Sequence, residues 1–542
     1  MLGYLDSIKW DNVISSNKIF NAYISSLPQI RKYFLLMHDE LDKIMGVFSP
    51  QYVNIPGLKE YNTKLSAGKK TLENIELLEN NRCFVVMTGQ QPGLLTGPLY
   101  TLYKAIHVVK LADYLSKKYK QNFIPIFWNA AEDNDWDEVN YICLYIQNEI
   151  CKIKMKFLQD INVNNMSFFK VPVDTIDIPQ LLHDIKISTP DTEFKEYYIK
   201  FVENINTYAN NFSDIFSAFM LKIFEKYGLI IVNPYSREIK NIVKDILLEE
   251  LKVPLLTNKL LNTAGEALIK DRYKPKLHKP VSRCNLFLEE DNIRDKLWFK
   301  DDIFWTSKRR YSLSELIDIL DKAPERFTSD VVIRPILASF LFPVVIYIAG
   351  PGEIAYYAQL KGIYERYNLI MPVIIPRISL TLIEPKIENI LSTYSIKPWQ
   401  LYSPVEAIAN NLIRNNHDGM VIDKLFVDTR EKIINILEEL SVTLAGYTGC
   451  SVHKMFENIK AKLEYELKRC QDKTFKELRK RDTVLLNRLQ KARISIYPDN
   501  SLQERIINVS YFFVKYGMEF VHRLYDIFPL DYTRHHYIKI GG

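Results

Sequence analysis

The chain has 542 residues, 47% of them hydrophobic and 25% charged, with a net charge of +6. This is an ordinary globular composition with material for roughly two to four domains, and no run is apolar for long enough to span a bilayer. Six scattered cysteines (Cys83, Cys143, Cys151, Cys284, Cys450, Cys470) lack C-x-x-C spacing, which argues against a disulfide scaffold or thiolate zinc site and for reduced thiols in the cytoplasm. The start, MLGYLDSIKWDN, does not read as a signal peptide. The modest positive charge fits an enzyme handling acidic small molecules, but fits equally a protein with no anionic ligand.

In chain order, residues 1–80 read as a helical region packing on a core, with apolar positions at Leu35, Leu36 and Leu41, then Leu72, Ile75 and Leu78. The β-like run Cys83-Phe-Val-Val-Met87 enters the glycine-rich loop Thr88-Gly-Gln-Gln-Pro-Gly93, and a helix follows from about 99 to 119. A second short strand, 123–128, runs into the acidic loop Ala130-Ala-Glu-Asp-Asn-Asp-Trp-Asp-Glu138. Strand, loop, helix, strand is the first unit of a parallel α/β sheet, placed at 81–140. Residues 141–225 form a connecting insertion that opens with a small β excursion. The sheet resumes at Leu229-Ile-Ile-Val232 and continues through 226–428, with a second insertion around 255–330. Further strands are expected at 331–333, 344–348 and 371–375. Residues 429–500 form a helical arm: one helix over 430–445, a turn marked by Gly446 and Gly449, and one long charged helix over 452–494. Its apolar seam is Met455, Ile459, Leu463, Leu467, Leu478, Leu485 and Leu489, a partly heptad-like pattern of a coiled coil that offers a dimer contact. Its basic face (Lys468, Arg469, Lys473, Lys476 and neighbours) reads first as a solvated surface. Residues 501–542 return to the core as helix and tail.

Three segments carry chemistry. Gly89, Gln90, Gln91 and Gly93 follow a strand, where glycines let backbone amides approach an anion and the next helix presents its positive end. Tyr100 and Lys104 lie four residues apart on one face of that helix. The pattern matches neither the Walker loop nor G-x-G-x-x-G, and a ligand loop and a structural turn both remain open. The second segment is Glu132, Asp133, Asn134 and Asp135. Carboxylates this dense demand a cation, a substrate ammonium or basic side chains, and one of them could accept a proton from an attacking amine; a solvated, helix-capping turn is the alternative. The third is Arg334-Pro335, at the end of one strand, with Gly350-Pro-Gly352-Glu353-Ile-Ala-Tyr356 after the next. Arg334 suits a carboxylate or phosphate, and Glu353 and Tyr356 could orient an amine or hydroxyl. Loops at the carboxyl ends of parallel strands converge on one crevice. His107 reads as packing, Cys83 as a small buried hydrophobe, and His535-His536 as no metal site.

Together with Leu502-Gln-Glu-Arg505, these segments resemble, in order and spacing, the bacillithiol biosynthesis cysteine-adding enzyme family over nearly the whole chain. The resemblance implies an α/β fold: a nucleotidyltransferase-like Rossmann core with inserted connecting regions, and a C-terminal helical coiled-coil arm that mediates a homodimer. It implies condensation of the cysteine carboxyl group with the amine of glucosaminyl-malate, an acidic amino-sugar conjugate. It links the chain to an adenine nucleotide, so ATP or ADP with magnesium are the candidate cofactors, and an acyl-adenylate is the economical activation route. On this basis Glu132, Asp133, Asp135 and Lys104 are the candidate catalytic residues. Gly89, Gln90, Gln91, Gly93, Tyr100, Asn134, Arg334, Gly350, Gly352, Glu353 and Tyr356 are the candidates for binding substrate or nucleotide, and any metal ligands are unassigned. Arg334→Ala or Glu132→Gln is expected to spare folding and reduce product. The family usually has histidine where this chain has Asn134 and glycine where it has Thr96. The rival readings are a ligase for another amine acceptor, and a nucleotide-binding or RNA-associated protein without ligase activity.

Overall fold

The computed structural model describes residues 2–13, 17–158, 161–448 and 451–541; Gly449 and Cys450, read above as a turn residue and a scattered thiol, lie outside them. Two compact units emerge, one of residues 2–381 and 503–538, the other of 382–502 and 539–541.

The larger unit is built on five parallel strands: β1 (Cys83–Gln90), β2 (Asn122–Asn129), β3 (Ile230–Val232), β4 (Val344–Ala349) and β5 (Val373–Pro376). Their spatial order is β5-β4-β1-β2-β3. β1 and β2 pair without a slip from Cys83 opposite Asn122 to Gln90 opposite Asn129. Their residues are buried almost end to end, as a parallel strand covered on both faces requires, so they read as apolar runs rather than alternating ones. Helix α1 (Leu99–Tyr119) connects them and is itself mostly buried, including Leu102, Ile106 and Leu115. The chain leaves β1 at the sheet centre in one direction to β2 and β3, then returns to lay β4 and β5 on the other side. The crevice between β1 and β4 is therefore a topological switch point, where open α/β sheets leave room for a ligand.

The insertions have their own structure. A hairpin (Tyr141–Ile146 with Glu149–Lys154) opens the first, and the second carries a five-stranded antiparallel sheet from Arg283 to Ser329. Several expected elements differ. Residues 1–80 are not all helical, because Leu2–Lys9 is a strand in a sheet with Arg534–Ile540 and Ser379–Ile383. Residues 331–333 are a turn rather than a strand. The Asp330 carboxylate accepts from the Val332 and Ile333 amides at 2.9 and 3.2 Å, and Arg334 starts helix α2 (Arg334–Leu341) with Pro335 in its first turn, where a missing N–H costs nothing. Helix α3 (Pro351–Tyr357) follows β4. Residues 500–528 fold as three short helices (Gln503–Ile506, Ser510–Tyr516, Phe520–Ile527), and the tail is the strand Arg534–Ile540.

In the smaller unit, α4 (His417–Thr448) and α5 (Ser451–Arg481) form an antiparallel hairpin, longer on its first arm than expected. Cross-links step down it as Ser441–His453, Glu438–Lys460, Arg430–Glu464 and Asp423–Gln471. The long helix ends at Arg481, because Asp482 caps a separate helix, α6 (Thr483–Ile496), through the Leu485 amide at 2.9 Å. Of the expected seam, Leu485 and Leu489 are buried but Met455 and Leu463 are exposed; Phe456 and Phe475 take the buried positions instead. Among the described residues, no helix is long and apolar enough to cross a membrane.

Candidate active site

A cleft of about 390 Å³ opens at the carboxyl ends of β1 and β4. Its floor and walls bring together Gly89, Gln90, Gln91, Tyr100, Lys104, Asp133, Arg334, Gly350, Gly352, Glu353 and Tyr356, which the sequence placed in three separate segments. Trp128, Lys276, Tyr347, Arg377 and Arg505 join them.

Gly89 is required by crowding. A β-carbon there would come within 3.0 Å of the Trp128 carbonyl oxygen and 3.3 Å of the Tyr347 hydroxyl. Lys104, 1% exposed, reaches from α1 to the end of β1. It donates to the Gly89 carbonyl at 2.8 Å and Gln90 Oε1 at 3.2 Å, and pairs with Glu353 Oε2 at 2.5 Å. Burial lowers the Lys104 pKa and the Glu353 charge works against that shift. Glu353 is set in place by the Gly350 amide at 2.6 Å and the Tyr347 hydroxyl at 3.3 Å. Lys104 and Glu353 thus tie the first loop to the third.

Asp133 is the acidic-loop residue that reaches the cleft. Gln91 donates to its Oδ2 at 3.0 Å, and Arg294 and Arg334 stand at 3.4 and 3.6 Å. Burial opposes its ionisation, but the two guanidinium groups prevail and hold its carboxyl below the usual value. Arg294, from the second insertion, also donates to Asn134 Oδ1 at 3.0 Å, Thr328 Oγ1 at 2.9 Å and the Ser329 carbonyl at 2.9 Å, and lies over the Phe287 ring. Nothing in the local sequence marks it, since it sits among many charges in a hairpin.

The structure does not bring Glu132, Asn134, Asp135 or Gly93 to the cleft. Glu132 is 1% exposed, paired with buried Lys240 and accepting from the Ser329 amide and hydroxyl at 3.0 and 2.9 Å. Its carboxylate is enclosed beneath the loop, so the expectation that Glu132→Gln spares folding does not hold with this geometry. Asn134 faces Arg294, and Asp135 is exposed, its pKa raised by partial burial and by Asp133 and Asp137. Gly93 is there for packing: a β-carbon would meet the Gly97 Cα at 2.7 Å. The loop beyond it is filled from within by Asn508, whose amide donates to the carbonyls of Leu95 at 3.0 Å and Gly97 at 2.6 Å, while the Leu99 amide bonds the Ile507 carbonyl at 2.9 Å. The start of α1 therefore serves the protein's own chain, and only Gly89–Gln91 faces the cleft.

Arg377 follows β5, pairs with Glu504 at 2.6 Å and lies over the Tyr100 ring. His107 is fully buried with its pKa pushed down to about 3, and Cys83 is buried with its thiol pushed up to about 11; both are packing groups. His535 is bound by Ser379 and Thr381. Among the described residues, no group of three or more His, Cys, Asp or Glu is placed to hold a metal ion.

Comparison with known proteins agrees with this layout. The family model for the bacillithiol biosynthesis BshC N-terminal Rossmann-like domain matches residues 5–378, and that for the BshC C-terminal coiled-coil domain matches residues 380–540. The chain is 31% identical over 494 residues to the "Putative cysteine ligase BshC" of Bacillus cereus strain Q1, covering 89% of each chain. It is 31% identical over 483 residues to the protein of that name in Desulforamulus reducens, covering 88% of this chain and 87% of the relative. A solved Campylobacter jejuni chain described as a "putative arginyl t-RNA synthetase" superposes with a TM-score of 0.24 at 11% identity over 87% of this chain and 96% of its own, too poorly to support any statement here. With a Rossmann-like core, a coiled-coil domain and both family models matched across almost its whole length, the chain belongs to the bacillithiol biosynthesis BshC family.

Proposed function

We propose that the protein joins the carboxyl group of cysteine to the amine of glucosaminyl-malate in the cleft between β1 and β4, forming the amide of bacillithiol. As a family member it is a ligase of bacillithiol biosynthesis; the acceptor and the order of events are our reading. The observation that carries it is Asp133, an acid held ionised by Arg294 and Arg334 at the edge of a cleft whose lining also includes Lys276, Arg377 and Arg505. An ionised carboxylate there anchors a substrate ammonium group, and the surrounding cations favour the acidic remainder of the acceptor.

Lys104 and Glu353 neutralise each other and hold Gly89–Gln90 against Gly350, keeping the loop backbone fixed while substrates exchange. Tyr356 offers a hydroxyl to the same space. Glu132 acts through Lys240 and Ser329, fixing the backbone from which Asp133 projects. Making an amide from a free carboxylate requires activation, which a bound ATP would supply. The cleft suits its phosphates because Arg334, Arg377, Arg505 and Lys276 line it.

We also propose a homodimer through the arm, supported by apolar side chains that the hairpin leaves exposed, among them Met420, Leu425, Ile436 and Val442 at 57, 60, 62 and 74%. A cytoplasmic location accords with Cys83, Cys151, Cys284 and Cys470, which form no disulfide among the described residues.

Mass spectrometry of purified protein with cysteine and glucosaminyl-malate, with and without ATP and magnesium, tests the reaction. The expected product is heavier than the acceptor by one cysteine less water and appears only with enzyme, and AMP or ADP release identifies the activation route. Folded protein that makes no such product under any of these conditions sinks the proposed acceptor.

A further inference from the structure

Among the described residues three tryptophans are buried: Trp10, Trp128 and Trp136, at 4, 2 and 6% exposure. An indole N–H can only donate, and once buried it needs an acceptor. Trp10 Nε1 donates to the Tyr532 carbonyl at 3.1 Å, and Trp136 Nε1 to the Met166 carbonyl at 2.9 Å. Trp128 Nε1 has no partner among the described residues. Trp128 is also the one of the three that lines the cleft.

The register of the sheet puts it there. Trp128 of β2 pairs with Gly89 of β1, and Met87 of β1 pairs with Tyr347 of β4. Alternation then places Met87, Gly89, Trp128 and Tyr347 on one face of the sheet, and all four line the cleft. A β-carbon at Gly89 would lie 3.1 Å from Trp128 Cβ and 3.3 Å from the Tyr347 hydroxyl, so the glycine keeps the space between them open. Val331, Pro335 and Ala338, from α2 and the turn before it, add apolar surface to the same cleft. Tyr347 already donates to Glu353 Oε1 at 3.3 Å, so its hydroxyl proton is engaged while the indole N–H is not. Leaving a buried donor unmatched costs stability that a phenylalanine at the same position would not.

We infer that Trp128 is a specificity residue of the cleft, its Nε1–H donating to an oxygen of the bound substrate, either the cysteine carboxyl or a hydroxyl of the amino-sugar acceptor. This rests on the reading of the cleft as the substrate site and goes beyond it by naming a neutral donor that the charges around it do not reveal. Both oxygens share the chemistry required, a lone pair offered to a fixed N–H in largely apolar surroundings, where a hydrogen bond is stronger than in water. A site built around such a donor rejects an analogue that lacks the oxygen, because the donor is then left buried and unpaired.

The test follows the indole N–H itself. In the full chain with isotope-labelled tryptophan, each of the six tryptophans gives one Nε1–H NMR signal, and that of Trp128 is the one missing from Trp128→Phe. Cysteine and glucosaminyl-malate are titrated separately and together, with and without a non-cleavable ATP analogue and magnesium, while calorimetry records binding. The Trp128 signal is expected to move downfield with one of the two substrates, which identifies the source of the oxygen. Replacing Trp128 by benzothienylalanine, which keeps the ring shape and puts sulfur in place of the N–H, should weaken that substrate roughly tenfold. It should leave the melting temperature unchanged or raised, whereas the same replacement at Trp136, whose N–H is taken by Met166, should lower it. Substrate binding with the Trp128 signal fixed, or with full affinity in the benzothienyl variant, overturns the inference and leaves the ligase reading standing. Movement with the nucleotide analogue alone, and with neither substrate, overturns the assignment to substrate. Folded protein that binds neither substrate under any of these conditions removes the inference and the reading of the cleft together.

Discussion

Glu132 and Asp133 are adjacent, carry the same charge and sit in the same loop, yet they belong to different regions of the molecule. Glu132 points beneath the loop into a buried knot with Lys240 and Ser329, where both carboxylate oxygens are used. Asp133 points above it into the cleft, where its two guanidinium partners lie at 3.4 and 3.6 Å and a ligand can still approach. Charge alone does not distinguish a site from a strut, and neither does the number of partners, since the Asn134 amide, Gln91 and two arginines all meet Asp133; access does, because Glu132 is enclosed whereas Asp133 is half-buried at the wall of the cleft.

The largest effect should come from breaking the knot. Glu132→Gln leaves the Lys240 ammonium buried without a countercharge, which costs about 3–5 kcal/mol; denaturant unfolding should show that loss whether or not activity survives. Asp133→Asn should lower kcat/KM by roughly a hundredfold or more, the scale on which charged contacts to reacting groups act; it also removes the ion-pair partner of buried Arg294, but that guanidinium keeps its bonds to Asn134, Thr328 and Ser329, so the loss of melting temperature should be smaller than for Glu132→Gln.

The Arg377–Glu504 pair extends the contrast to pH. Burial alone would raise the Glu504 pKa, but Arg377 beside it holds the carboxyl below its ordinary value of 4.5. A depressed folded pKa means that the stabilisation is complete above the unfolded value and is lost as pH falls through the folded one. Wild type should therefore lose melting temperature progressively below about pH 4.5. Glu504→Gln should start lower at neutral pH and change less over that range.

The smallest effect concerns Thr96, a β-branched residue at φ +77° whose buried hydroxyl has no partner among the described residues. Thr96→Gly removes both the left-handed strain and the unsatisfied hydroxyl, at some cost in chain entropy, and should raise stability by about 1 kcal/mol. It should leave kcat/KM unchanged, since this half of the loop is filled by Asn508 rather than by ligand.

How much of this was legible in the sequence follows from what each signal depends on. Apolar runs ending in Gly89 or Gly350 announce buried parallel strands with loops at their carboxyl ends, and the switch-point rule then brings Lys104, Asp133, Arg334 and Glu353 together. The direction in which each neighbouring side chain points is not local information, so Glu132 and Asp133 read alike. Arg294 and Lys276 come from the second insertion, whose docking against the sheet no periodicity reveals. Arg505 was visible as part of a motif but without a role until the fold placed it at the cleft. Residues 331–333 looked like a strand because three apolar residues satisfy either pattern; the Asp330 side chain and Pro335 decide for a turn and a helix. The arm was recognisable from its charge and length, while its buried positions depend on helix-to-helix register.

The most direct test of the central claim, that substrate is handled in the crevice between β1 and β4, is hydrogen–deuterium exchange of the full chain with and without glucosaminyl-malate. The account predicts slowed exchange in segments 89–91, 133–134, 350–353 and 503–506, with the arm unchanged. Protection confined to other segments, with these four exchanging as in the free protein, would contradict it.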